Sequence, residues 1–211
     1  MNPVVIIQAR TGSTRLPRKV LMDIAGRPML AHVVERARAI RGISGVVVAT
    51  TDKIADDRVV TLCNSLVVPV FRGSESDVLD RFYECAVTFH ADPIIRVTGD
   101  CPLLDPEESS RVLEAYLLSC DARGRPGYHY VSNVGPGTDG LDTEVVSFGW
   151  LKNAWKRASD PYDREHVTPW ITRTLRGRLG HALHVQTRTL DAKLSVDTED
   201  DLERVRAVVI A

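Results

Sequence analysis

Along residues 1–120, short apolar runs rich in Val and Ile alternate with helix-length amphipathic stretches. This rhythm builds β-α-β units, so it commits the chain to an α/β fold around a largely parallel sheet. Strands are expected at residues 4–8, 46–50, 66–71 and 94–98. Between the first two, Pro28 opens a helix whose apolar positions Met29, Leu30, Val33, Val34 and Ala37 share one face. Further helices are expected at residues 55–65, after Asp77, and from Pro106 to about Cys120, with Asp105 as N-cap. A Gly, Pro and Arg-rich surface loop follows at 121–127. Beyond it the rhythm changes: 128–134 and 143–148 read as strands with no helix between them, which argues for a mixed sheet or a late antiparallel lobe. Asp160-Pro161 starts a helix interrupted at Pro169, and a strand at 194–196 should lead through Asp197 into a last helix, residues 199–209. The expectation is a single three-layer α/β domain, Rossmann-like, over residues 1–211.

A chain of 211 residues with 44% apolar and 26% charged side chains has enough core for one domain and too little net charge for disorder. Its 27 basic and 28 acidic residues leave a charge of -1, so no global field draws it to nucleic acid or an anionic membrane. Any anion site must be local. Cys63, Cys85, Cys101 and Cys120 stand apart without zinc spacing, and the N-terminal apolar run is too short for a signal segment or membrane span. Reduced thiols in a cytoplasmic protein are expected.

The local anion site is written into the loop after the first strand, Gln8-Ala9-Arg10-Thr11-Gly12-Ser13-Thr14-Arg15-Leu16-Pro17-Arg18-Lys19. Its four cations precede Asp23, the first acid in the chain. A buried strand that delivers a Gly, Ser, Thr and cation loop to the C-terminal edge of a parallel sheet places it where α/β folds bind phosphorylated ligands. Neither G-x-x-x-x-G-K-[ST] nor G-x-G-x-x-G occurs there, which argues against a P-loop ATPase and a dinucleotide dehydrogenase. A ligand-free basic surface loop is the alternative reading.

The run I-I-Q-A-R-T-G-S-T-R-L-P-R-K resembles the signature loop of the cytidylyltransferases that make CMP-sugars. This group contains the acylneuraminate and 3-deoxy-manno-octulosonate enzymes, and the nearest branch is the spore coat polysaccharide biosynthesis protein F-like one. The similarity continues in order through residues 48–51, 71–81, 96–103, 139–144, 163–169 and 196–202, so it covers nearly the whole chain. At Thr98-Gly99-Asp100-Cys101-Pro102-Leu103 the chain is closer to the octulosonate type than to the sialic-acid type, which leaves the acceptor sugar open.

The resemblance implies a nucleotidyltransferase fold and transfer of CMP from CTP to a sugar or sugar acid, with release of pyrophosphate, for surface polysaccharide synthesis. Alternatives are a UTP or GTP donor, a glycosyltransferase of the same fold, and a non-catalytic nucleotide-sugar-binding protein. A D-x-D motif, expected of the glycosyltransferase, is missing from mid-chain. Arg10, Lys19 and Asp100 are the implied catalytic residues; Ala9, Gly12, Ser13, Arg15, Asp77 and Arg81 join Arg10 and Lys19 as nucleotide contacts. Residues 128–175 are expected to form the acceptor-binding and dimerising insert of a homodimer, with Asn133, Asp142, Glu144, Arg164 and His166 as its polar groups. Asp100 and Asp197, each at the end of an expected strand, can converge on one Mg2+ if both strands lie in one sheet. Each also has a plainer reading: Asp100 as the cap of a turn, Asp197 and Asp77 as helix N-caps.

Overall fold

The computed structural model describes residues 1–137, 139–176, 181–186 and 193–210. Strands β1 (Val4–Gln8), β4 (Gly45–Thr51), β5 (Val70–Gly73) and β6 (Ile94–Thr98) form the parallel half of a sheet ordered β5-β4-β1-β6-β8-β7-β9. Strands β7 (Tyr130–Ser132) and β8 (Glu144–Val146) extend that same sheet, and β8 runs antiparallel to both β6 and β7. A mixed sheet, rather than a separate lobe, is therefore the outcome of the late change of rhythm. Strand β9 (Ala182–His184) pairs parallel to β7 at the edge and is too short and too exposed to carry a sequence signal. A two-residue-per-strand hairpin, β2 (Asp23–Ile24) and β3 (Arg27–Pro28), stands apart from the main sheet.

The two sheet faces carry separate cores, as the strand alternation requires. Val5, Ile7 and Val97 point to the layer of α1 (Met29–Arg38), α2 (Asp57–Ser65) and α4 (Pro106–Leu118). Val4, Ile6 and Ile94 point to the layer of α3 (Val78–Thr88), α5 (Phe148–Arg157), α6 (Pro161–His166) and α7 (Pro169–Leu175). All five apolar positions expected to share a face of α1 are buried. Asp77, Asp105 and Asp160 each accept a backbone N–H at the start of their helix. The sequence reading missed α5, whose Gly149 and three bulky aromatics weaken the helical pattern around the buried Leu151 and Ala154.

One expected strand is not formed. Residues 194–196 run as extended chain laid across two loops, with Leu194 N–H donating to Asp139 O (2.9 Å) and Val196 N–H to Asp100 O (2.9 Å). Gly140 is required beneath them: its φ is +98° and a Cβ there would lie 2.4 Å from the carbonyl carbon of Leu194. Helix α8 (Glu199–Ile210) follows, and Leu202 and Val205 pack with Leu16, Ile24, Met29, Leu103 and Val196 in a third apolar cluster. That cluster brings the loop after β1, the turn after β6 and the segment before α8 to one place. No helix among the described residues is long and apolar enough to cross a membrane.

Candidate active site

A cleft of about 340 Å³ opens where these three segments meet, at the C-terminal edge of β1 and β6. Its lining includes Arg10, Gly12, Ser13, Arg15 and Lys19 of the first loop, Asp100 after β6, and Asp197. Gly99 permits the close approach: its N–H donates to Gln8 O (2.8 Å), and a Cβ there would sit 3.0 Å from that oxygen and 3.1 Å from Ala9 Cβ. Ala9 is buried with its N–H donating to Ala49 O (3.2 Å), so it acts as the rigid floor of the loop.

Lys19 is the centre of the cleft. Its Nζ donates to Asp100 Oδ2 (2.6 Å), Val196 O (2.8 Å) and Asp197 Oδ1 (2.9 Å). The two carboxylates, 97 positions apart in the chain, therefore converge on one cation-sized point although Asp197 does not end a strand. Burial works against the charge on Lys19, but Asp100 and Asp197 outweigh it and raise its pKa. For Asp197, burial favours the neutral acid, and the hydrogen bonds from Lys193 and Lys19 overcome this and lower its pKa. Asp197 also pairs with Arg15 (2.9 Å) and Lys193 (2.7 Å). Asp201 holds Lys193 (2.9 Å) and accepts the backbone N–H groups of Asp197 and Thr198, which fixes the segment ahead of α8.

The loop itself is knotted by a side chain that sequence reasoning missed. Asp56, 2% exposed, accepts from Thr11 N–H (2.7 Å) and Thr11 Oγ1 (2.6 Å), and from Thr51 Oγ1. Thr11 O in turn accepts from Ser13 N–H (3.0 Å) and Arg18 N–H (2.9 Å). Arg18 takes a left-handed φ of +62° to close this turn, and its side chain stands exposed, outside the cleft lining. Arg10 reaches across to α6, where it pairs with Glu165 (2.8 Å), and donates to Glu75 O (3.2 Å). Glu165, inside the 163–169 segment but not among the expected site residues, lines the cleft beside His166, which is exposed and meets the Tyr162 ring at a tilt, centroids 4.3 Å apart. Gln8, Arg96 and Thr98 line it from the sheet.

Several residues expected at the site are engaged elsewhere. Asp77 caps α3 and receives a two-pronged ion pair from Arg164, whose Nε lies 2.9 Å from Oδ2. Arg164 also donates to Trp155 O (2.7 Å), so it clamps α6 to α3 and α5. Arg81 is fully buried beneath the Ser74 carbonyl, with Nε and Nη2 lacking a hydrogen-bond partner among the described residues; burial first, then Arg10, brings its pKa down to about 10. Asn133 is fully buried and bridges Leu141 O (3.0 Å) and Thr143 N–H (2.7 Å) across the β7–β8 loop. Glu144 is buried between Arg96 and the Tyr130 hydroxyl (2.7 Å). Asp142 is half-buried on that loop and is not among the residues lining the cleft. Sequence spacing cannot separate these inward-facing polar groups from cleft-facing ones, because both lie on the same short elements. Arg164→Ala is expected to lower stability by about 2 kcal/mol, the loss of a charge-assisted hydrogen-bond set. Thermal melts should register this while the KM for acceptor stays within about twofold.

Three comparisons bear on this geometry. The spore coat polysaccharide biosynthesis protein SpsF of Bacillus subtilis is 34% identical over 223 residues, covering 99% of this chain and 87% of that protein. The 3-deoxy-manno-octulosonate cytidylyltransferase of Anaeromyxobacter dehalogenans is 32% identical over 240 residues, covering 98% and 97%. A solved cytidylyltransferase from Leptospira borgpetersenii superposes with a TM-score of 0.90 at 28% identity, over 100% of this chain and 87% of that one. The cytidylyltransferase family model matches residues 4–208, so the chain belongs to the cytidylyltransferase family.

Proposed function

We propose that the chain transfers CMP from CTP to a hydroxyl of a sugar or sugar acid, releasing pyrophosphate, in the synthesis of a surface polysaccharide. The observation that carries this reading is the convergence of Asp100 and Asp197 on Lys19 at the mouth of the Gly and Arg loop. The names of the two relatives, an octulosonate cytidylyltransferase and a spore coat polysaccharide protein, support a sugar-acid acceptor and a surface product.

Nucleotidyl transfer asks little covalent chemistry of a protein and much neutralisation and alignment. The acceptor oxygen forms a bond to the α-phosphorus, the bond from phosphorus to the bridging oxygen breaks, and pyrophosphate departs with that electron pair. The hydroxyl proton passes to solvent. Arg10, Arg15 and Lys19 supply the cationic surface along which the triphosphate lies, and Gly12 keeps the backbone open to it. Asp100 and Asp197 fit a divalent cation, since both already reach one ammonium at 2.6 and 2.9 Å, and Mg2+ commonly takes one or two carboxylates with phosphate oxygens completing its shell. A Mg2+ held there would neutralise charge developing on the phosphates. Within the cleft, Gln8, Ser13, Thr14, Arg96, Thr98, Glu165 and His166 are further polar groups that can orient the ligands.

Incubation with CTP, UTP or GTP, Mg2+ and a panel of sugar acids and sugar phosphates, read as pyrophosphate, tests the proposal. Acceptor-dependent release selective for CTP is expected. Equal turnover of UTP would overturn the donor, and no release with any acceptor would overturn the reaction.

A further inference from the structure

The three protons of the Lys19 ammonium are all taken by the protein, one each by Asp100, Val196 O and Asp197. None remains for a phosphate oxygen while this arrangement holds. The side chain is only 11% exposed, so its charge is poorly screened, and it occupies the point on which both carboxylates converge. Arg15 and Lys193 add two more cations on Asp197, at 2.9 and 2.7 Å. Two carboxylates thus face three cations, and Lys193 is shared with Asp201. A free divalent cation approaching Asp100 and Asp197 meets like charge and finds its ligands already paired. A triphosphate meets the opposite situation. When its oxygens draw Lys19 and Arg15 away, Asp100 and Oδ1 of Asp197 are released at the moment a metal arrives on those same phosphates, while Lys193 keeps Oδ2 of Asp197.

We infer that Lys19 is a specificity-determining internal cation that makes the site reject free divalent metal and accept the metal–nucleoside triphosphate complex. The inference rests on the proposed CTP site, and it adds a reciprocal coupling: nucleotide and metal must raise each other's affinity by the same factor. It also gives Lys19 two successive sets of partners, carboxylates without nucleotide and phosphates with it.

Mn2+ binding, read without turnover by the loss of the free-ion electron paramagnetic resonance signal, tests it on the full chain. Wild type without nucleotide is expected to bind Mn2+ at least tenfold more weakly than Lys19→Met, in which the carboxylates lose their internal cation. Adding Asp100→Asn to Lys19→Met should abolish the gain and assign it to this site. An α,β-methylene analogue of CTP should strengthen Mn2+ uptake by wild type beyond that of the analogue alone, and by a larger factor than in Lys19→Met. Tight Mn2+ binding by nucleotide-free wild type would overturn the inference on its own, without any variant having to fold. So would equal Mn2+ affinity in wild type and a Lys19→Met chain that melts cooperatively. Failure of the proposed reaction registers separately, as absent pyrophosphate release.

Discussion

Asp100→Asn is expected to reduce pyrophosphate release by about a thousandfold while the protein remains folded. The carboxylate follows β6 directly, on a turn where Gly99 packs against β1 and Cys101 N–H donates to Thr98 O (3.3 Å), so its position is set by the centre of the sheet. Asparagine keeps the shape and removes the charge. Lys19 then retains Val196 O and Asp197, so the ammonium is not left unpaired and the stability cost should stay near 1 kcal/mol. A large loss of rate with a small shift in melting temperature is the signature of a group acting on the reacting phosphates. Steady-state pyrophosphate assays beside thermal melts measure both, and a variant that keeps a tenth or more of wild-type kcat/KM would remove Asp100 from the chemistry.

The core of this fold is legible because burial imposes periodicity. The Met29 to Ala37 stripe, the apolar runs of β1 and β6, and the Asp77, Asp105 and Asp160 caps each follow from local rules that the tertiary structure obeys. Leu194 to Val196 shows where such rules stop. An apolar triplet before a helix has the composition of a strand, but its hydrogen-bond partners are loop carbonyls at Asp139 and Asp100, chosen by topology. In the site, the basic loop and Asp100 stand out because a strand end beside Gly is a strong local context. Asp56 and Lys193 give no such signal, since acids and lysines on helices and loops are ordinarily solvated, and Glu165, though inside the 163–169 segment, has no local context that singles it out. Arg164 and Glu144 show the converse: they lie in segments resembling the family's motifs and are expected at the acceptor, and the structure pairs their charges with Asp77 and Arg96. Charge identity is readable in a sequence, whereas the direction a side chain takes from a three-residue strand is decided by its neighbours.

Asp56→Ala should damage both stability and nucleotide affinity, because one buried carboxylate carries the loop. Truncation leaves the Thr11 N–H and the Thr51 hydroxyl without their acceptor and the Thr11 hydroxyl with only the distant Ala55 O (3.4 Å), in a region where Thr51 is fully buried and Thr11 only 7% exposed. At about 1–3 kcal/mol for each donor left unsatisfied, with partial relaxation, the loss should be about 3–4 kcal/mol. Thr11 O also anchors Ser13 and Arg18, so the turn that aims Arg15 and Lys19 loosens with it, and the KM for CTP should rise by about tenfold or more. Burial alone would favour the neutral acid, but the hydrogen bonds from Thr11 and Thr51 outweigh it and hold the Asp56 pKa below its ordinary value. The unfolded chain then binds the extra proton first, so this stabilisation is complete above the unfolded pKa of about 3.9 and is lost as pH falls through the lower folded value. Urea melts between about pH 3 and 7 should therefore show a constant gap between wild type and variant near neutrality that narrows below about pH 4. A gap that stays the same at acid pH would mean that the charge on Asp56 contributes nothing and that its shape alone holds the loop.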